Sequence, residues 1–243
     1  MFGYDEVLGN VRFAFTDRYG GASRPPYGEL NLGSAQGEDA AVIAENFRRV
    51  AAAFDLPVEA VLRVSQVHGR DVHVVGPDDP LPPELQPSAD ALVTTRTDVV
   101  LAVRAADCLP VLLADQDNGV VGAAHSGRPG MYLGVVPATV EAMRRLGAER
   151  ITAVLGPYAC GRCYEVPEQM RAEVAARVPA SYSETSWGTP ALDVAAGVTA
   201  QLAEYGVDVV DATRCTIESE DLYSYRREGP VSGRMAGLVR LTA

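Results

Sequence analysis

The chain has 243 residues, 47% of them apolar, and 32 acidic against 21 basic side chains for a formal net charge of −11. That apolar content suffices for one large domain spanning 1–243. No run of Lys and Arg forms the patch that a polyanion surface needs, so neither nucleic acid nor a membrane is expected as a partner. A small phosphorylated ligand, by contrast, needs only one or two arginines. The opening M-F-G-Y-D-E-V lacks the basic start and apolar run of a signal peptide, and no apolar stretch approaches the ~18 residues of a membrane span. Four cysteines (108, 160, 163 and 215) are too few and too scattered to staple a chain this long, which points to a reducing cytoplasm.

In chain order, Val42, Phe47, Val50 and Phe54 recur at helical spacing and predict a helix over 38–54, ended by Asp55-Leu56-Pro57. Short β-branched segments at 61–67, 72–75, 91–94, 99–104, 110–114 and 120–124 predict strands, with a Pro-rich loop at 78–87 between the second and the third. Helices are expected at 133–146, 167–177 and 191–205, and strands at 151–155, 207–211 and 236–242. Strands crowd the middle and helices flank them. The expected fold class is therefore α+β, with mixed β-sheets flanked by helices in an αββα-like sandwich.

Asn118-Gly119 lies between two apolar strands and predicts a hairpin. With that dipeptide at the centre of the turn, paired positions sum to 237 and Cys108 falls opposite residue 129; a turn one residue earlier gives 235 and residue 127. In both registers Cys108 shares a sheet face with His125, because side chains alternate with period two.

The chain holds only three histidines, 68, 73 and 125. S-Q-V-H-G (65–69), A-A-D-C-L-P (105–110) and A-A-H-S-G (123–127) each place a metal-binding side chain at a strand end beside small residues. Two imidazoles and a thiolate can hold zinc with a fourth position open. The same three side chains can equally be a buried cysteine and two hydrogen-bonded histidines, since their spacing matches no local zinc motif. His73 alternates with Val72 and Val74 and is expected on the polar face with Asp71. Cys160-Gly-Arg-Cys163 has no second CxxC to complete a zinc ribbon, so free thiols in a loop are expected, with Cys215 packed at the start of a strand.

Taken together, Q-V-H-G, R-A-A-D-C-L-P-V-L-L, A-A-H-S-G, L-G-P-Y-A-C-G-R-C-Y-E-V and the stretch from C-T-I-E-S-E-D to S-G-R-M-A resemble the laccase-domain family, also called the multicopper polyphenol oxidoreductases. The resemblance runs from G-G-A-S-R-P-P-Y (20–27) to the C-terminus. It implies a zinc-dependent purine nucleoside phosphorylase acting on adenosine and inosine, with guanosine and methylthioadenosine as further substrates and adenosine deaminase activity beside it. It also implies His68, Cys108 and His125 as the metal ligands. The chain departs from the family's pattern in two places: Arg128-Pro129 stands where a Trp-Arg pair is usual, and Cys160 stands where a glycine is usual.

Counting tests the family's name. A multicopper site needs many imidazoles, and three histidines cannot supply them; a single copper at the zinc site, as an adventitious substitute, remains open. The H-x-E and P-C-x-x-C signature of the cytidine-deaminase type is absent, so an acid/base group must come from elsewhere, with Asp107 the first candidate. Its alternatives are to cap a turn or to orient Arg104. Phosphorolysis needs an arginine fork for phosphate, with Arg48, Arg128 and Arg226 as candidates. A cysteine hydrolase (amidase) editing peptidoglycan precursors uses the same residues differently, with Cys108 as nucleophile and His125 as base. Purine nucleosides and phosphate are the expected small-molecule partners, and a homodimer is compatible with this reading.

Overall fold

A computed structural model describes residues 1–33, 37–81 and 86–242. The strands are β1 (Phe2–Leu8), β2 (Val11–Thr16), β3 (Val61–Leu62), β4 (Val72–Val75), β5 (Ala91–Thr94), β6 (Val100–Ala105), β7 (Leu109–Asp115), β8 (Val120–Ser126), β9 (Thr152–Leu155), β10 (Tyr182–Glu184), β11 (Pro190–Leu192), β12 (Asp208–Asp211) and β13 (Met235–Leu241). The helices are α1 (Ala40–Ala53), α2 (Arg128–Leu133), α3 (Val135–Arg145), α4 (Glu168–Arg177), α5 (Val194–Glu204) and α6 (Tyr225–Glu228).

Two mixed sheets face each other, one ordered β1-β2-β13-β6-β3 and the other β12-β9-β7-β8-β5-β4. Period-two alternation explains the layering. On β7, Leu112 and Ala114 join Phe13, Phe15, Leu101, Val103 and Val239 of the facing sheet in an inter-sheet core, while Leu109, Val111 and Leu113 turn to a second core with residues of α3, α4 and α5. On the outer face of the first sheet, Ala14, Val100, Ala102 and Leu238 pack against Phe47, Val50 and Phe54 along α1. The layers read helix, sheet, sheet, helices: the expected αββα sandwich. The sheets come close together near Pro110, where a Cβ at Gly237 would lie 3.0 Å from the proline Cβ and one at Gly156 would lie 2.3 Å from the Phe15 ring. Alanine at either glycine would push the sheets apart beside Cys108.

Local chemistry shifts several boundaries. The segment expected as a strand over 61–67 is a strand only at Val61–Leu62, with an isolated parallel bridge from Ser65 to Ser88 before the chain bends at His68. The helix expected over 133–146 is α3, Val135–Arg145, and a separate short helix α2 precedes it, divided from it at Gly134, whose φ of +84° is left-handed. At the hairpin, Asp115 pairs with Val120, leaving a four-residue loop at 116–119 in which Gly119 alone takes a positive φ. The two-residue turn centred on Asn118-Gly119 is thus replaced, because Asp115 holds the loop open: its carboxylate accepts from the Asp117 N–H at 3.0 Å and from the Asn118 N–H and Nδ2 at 3.1 and 2.9 Å.

The β10–β11 pair and α6 carry too little apolar periodicity to stand out in the sequence; the β1–β2 hairpin is a further element, in which Val11, Phe13 and Phe15 alternate along β2. His73 is half-buried rather than on an exposed polar face, and Val74 beside it is 43% exposed. Cys160 and Cys163 lie about a turn and form no disulfide, whereas Cys215 opens no strand and makes a single bridge to Tyr158. Residues 82–85 of the expected Pro-rich loop lie outside the described residues. Among the described residues, no helix is long and apolar enough to cross a membrane.

Candidate active site

β7 and β8 pair with Leu109 opposite Ser126 and Pro110 opposite His125, the register in which positions sum to 235. One step further, Cys108 stands opposite Gly127, one diagonal from His125 on the same face. Gly127 has no room for a side chain: a Cβ there would lie 2.7 Å from the Cys108 Sγ and 3.1 Å from His68 Cδ2.

His68 arrives from the loop between β3 and β4, in a conformation that L-residues rarely adopt (φ +60°). A residue passed over in the sequence holds it there. Asp90, fully buried just before β5, accepts from three successive backbone N–H groups, Val67 at 3.1 Å, His68 at 3.0 Å and Gly69 at 2.6 Å. Successive amides converging on one anion form a nest, which stabilises the left-handed bend. The same carboxylate accepts from His125 Nδ1 at 2.9 Å. That bond places the proton on Nδ1 and leaves Nε2 free to face the thiol.

The result is a cluster in which the ligand atoms of His68, Cys108 and His125 all lie within 4.8 Å of one another. Cys108 Sγ is 3.7 Å from His68 Nε2, and the two imidazole rings meet edge to face with centroids 4.9 Å apart. Burial raises the Cys108 thiol, but the nearby His125 and His68 outweigh it and hold it well below the usual thiol range. Burial likewise disfavours charge on His125, but the Cys108 thiolate and Asp90 outweigh it and raise the imidazole. Asp90, penalised by burial, is nevertheless lowered by His125 and by the backbone amides.

The donor set fits a metal. Zinc–sulfur and zinc–nitrogen bonds at a tetrahedral angle put sulfur and nitrogen about 3.6 Å apart, close to the Cys108–His68 separation, and three protein ligands leave a fourth position open. The Asp90–His125 bond is the orienting contact that metal-bound histidines commonly have.

Beside this trio lies a cleft of about 390 Å³, inside the ~300–1,000 Å³ range of small-molecule sites. Arg104, Arg226, Arg234, Tyr164, Tyr225 and Asp107 line it together with the trio. Arg226 stands over the Tyr164 ring, 4.6 Å from its centroid, and donates to the Glu165 carbonyl at 2.9 Å. Arg104 reaches the site from β6; burial and the neighbouring Arg63 and Arg234 lower its pKa to about 10. Arg234 donates to the Ser232 and Gly233 carbonyls at 2.7 and 2.9 Å.

Of the seven residues expected at the site, His68, Cys108 and His125 come together, and Asp107 and Arg226 line the cleft with them. Asp107 has a φ of +82°, and its two carboxylate oxygens accept from the Thr216 hydroxyl and from the Arg226 backbone N–H, each at 2.6 Å. The cleft does not include Arg48, which is exposed on α1 and paired with Glu45, or Arg128, the first residue of α2. Asp90, Tyr164 and Arg234 went unnoticed in the sequence. The one local signal for Asp90 is an acid opening an apolar strand in P-S-A-D-A-L-V-T.

Residues 12–242 match the family described as multi-copper polyphenol oxidoreductase laccase. The chain is 57% identical over 239 residues to "Purine nucleoside phosphorylase ORF3" of Streptomyces griseus, covering 97% of this chain and 96% of that one. It is 52% identical over 244 residues to "Purine nucleoside phosphorylase SCO2081" of Streptomyces coelicolor, covering 99% and 100%. In structure it is similar to protein NMB0706 of Neisseria meningitidis, with a TM-score of 0.86 and 32% identity over 97% of this chain and 96% of that one.

Proposed function

This chain belongs to the multi-copper polyphenol oxidoreductase laccase family, and from that premise we propose that it is a zinc-dependent purine nucleoside phosphorylase acting on adenosine and inosine. The observation that carries the proposal is the junction of a Cys-His-His cluster with a cleft lined by three arginines, in a chain whose relatives are named for that reaction. Phosphorolysis breaks the bond between the sugar C1′ and the purine nitrogen and forms one between C1′ and a phosphate oxygen, with the purine leaving protonated. Such a reaction needs an anion held beside a cationic, oxocarbenium-like sugar and a surface for a flat base. Arg104, Arg226 and Arg234 are suited to the phosphate, and the Tyr164 and Tyr225 rings to the base and sugar. His68, Cys108 and His125 would hold zinc, which supplies a Lewis acid with one open position.

Asp107 is assigned a positioning role. Both of its oxygens are engaged, one by Thr216 and one by the Arg226 amide at the start of α6, so it sets where the Arg226 side chain stands. Adenosine deamination is part of the same proposal as a second activity, read as ammonia release that needs no phosphate. Guanosine and methylthioadenosine complete the proposed substrate range.

The test is chromatographic. Zinc-loaded protein with adenosine or inosine should release free base only when phosphate is present, and Cys108→Ser should lower that rate by about 100-fold or more. No base release by metal-loaded protein, with or without phosphate, would end this reading. One observation favours a second: Asp90, His125 and Cys108 line up as an acid–imidazole–thiolate relay, the arrangement of a cysteine hydrolase. Metal-free protein that cleaves an amide and is silenced by alkylation of Cys108 would establish that alternative.

A further inference from the structure

A second group of soft ligands lies outside the cleft. Cys160 and Cys163 come from one turn, and Cys215 and Glu218 from a segment more than fifty residues later. Their Sγ and carboxylate atoms all lie within 4.8 Å of one another. We propose that these four residues form a second zinc site, structural in character and distinct from the His68–Cys108–His125 cluster.

Several independent features fit. The two segments are joined by backbone bonds that fix their spacing: Tyr158 and Cys215 bridge, with the Tyr158 N–H on the Arg214 carbonyl at 3.0 Å and the Thr216 N–H on the Tyr158 carbonyl at 2.9 Å. The C-x-x-C turn is closed by the Cys163 and Tyr164 N–H groups on the Cys160 carbonyl, each at 2.9 Å. All four cysteines of the chain are free thiols, so none of these three is taken by a disulfide.

The chemistry points to zinc. Three thiolates and a carboxylate make a soft, strongly anionic set, for which hard cations compete poorly. The set carries four negative charges against two on the ion. Arg162, 3.6 Å from the Glu218 carboxylate, offsets part of the excess. Cys163 is buried whereas Glu218 is exposed, which leaves an entry path from solvent on the carboxylate side. Binding would release the thiol protons to solvent.

The site also has a structural task. Tyr164, which lines the cleft, follows Cys163 directly, and Thr216, which holds Asp107, follows Cys215 directly. A zinc ion here would pin together the two segments that carry those residues. This proposal does not depend on which reaction the cleft performs.

Metal counting tests it. Reduced wild-type protein, loaded with Zn²⁺ and desalted, should hold about two zinc ions per chain by mass spectrometry. Cys108→Ser with His125→Ala should keep the second ion, and Cys160→Ser with Cys163→Ser should keep only the first. With Co²⁺ in place of zinc, the Cys108 variant should retain a thiolate-to-cobalt band stronger than that of the Cys160–Cys163 variant, whose remaining site offers one thiolate instead of three. Should the latter fail to fold, alkylation of the wild type reads the same site. Zinc should slow modification of Cys160, Cys163 and Cys215 by at least about tenfold, and a chelator should restore it. A Cys108–His125 variant that binds no zinc, or alkylation rates indifferent to zinc, overturns the proposal. So does a disulfide among these cysteines in freshly reduced protein.

Discussion

A fully buried aspartate stands near each end of the β7–β8 hairpin, Asp115 within it and Asp90 just before the neighbouring strand β5, and the two serve different purposes. At the loop end, Asp115 accepts from backbone N–H groups of Asp117, Asn118, Glu149 and Arg150 and from the Asn118 amide, all of them groups with no titration of their own. At the open end, Asp90 accepts from Val67, His68 and Gly69 and then from the His125 ring. One carboxylate is spent wholly on shape. The other shapes a loop and in the same stroke sets the tautomer of a metal-binding imidazole. A buried acid becomes part of a site's chemistry when one of its partners is itself a ligand or a base.

The sharpest way to break this comparison is to remove each acid in turn. Asp115→Ala leaves several N–H groups without an acceptor and should lower unfolding stability by about 3 kcal/mol, with zinc affinity at the His68 cluster unchanged. Asp90→Ala should destabilise by a similar amount and, unlike its counterpart, weaken zinc there by about 10- to 100-fold. Denaturant titration and competition against a chelator read the two effects separately; equal losses of metal in both variants would erase the distinction.

A milder change isolates the ring contact. Asp90→Asn keeps an acceptor for part of the amide nest but exchanges one carboxylate oxygen for a donor. Its zinc affinity should fall by about tenfold, with a smaller stability loss than that of Asp90→Ala. Gly127→Ala probes the open end without touching either acid. Its Cβ would lie 2.7 Å from the Cys108 Sγ, so thiolate and metal must shift, and zinc affinity should drop by several-fold, on the order of 1 kcal/mol. The melting temperature should move less than in either aspartate variant.

The smallest expected effect is on pH dependence at the loop end. Burial alone would raise the Asp115 carboxyl, but the Asn118, Glu149 and Arg150 donors outweigh it and lower the group to about 2. A depressed carboxylate stabilises the fold above its unfolded value near 3.9 and loses that contribution as pH falls toward 2. Asp115→Asn should therefore flatten the decline in stability between about pH 4 and pH 2, measured by denaturant unfolding at each pH.

Much of this molecule is legible in one dimension. Apolar periodicity along α1 and the β-branched runs of β5 to β8 determine the layered αββα architecture, because burying those faces leaves few other arrangements. The same alternation puts Cys108 and His125 on one face whichever register the hairpin takes. The register itself was decided by Asp115, whose amide partners at Glu149 and Arg150 lie across the fold and carry no local signal. His68 is legible as an imidazole at a strand end, but its left-handed bend depends on Asp90, which lies more than twenty residues away. The arginines of the cleft arrive on β6, on α6 and just before β13, and the cysteine cluster joins two distant segments. Residue order reports which faces are apolar and where strands end. Convergence of polar side chains at those ends depends on sheet pairing and on long-range hydrogen bonds, and only the tertiary structure supplies them.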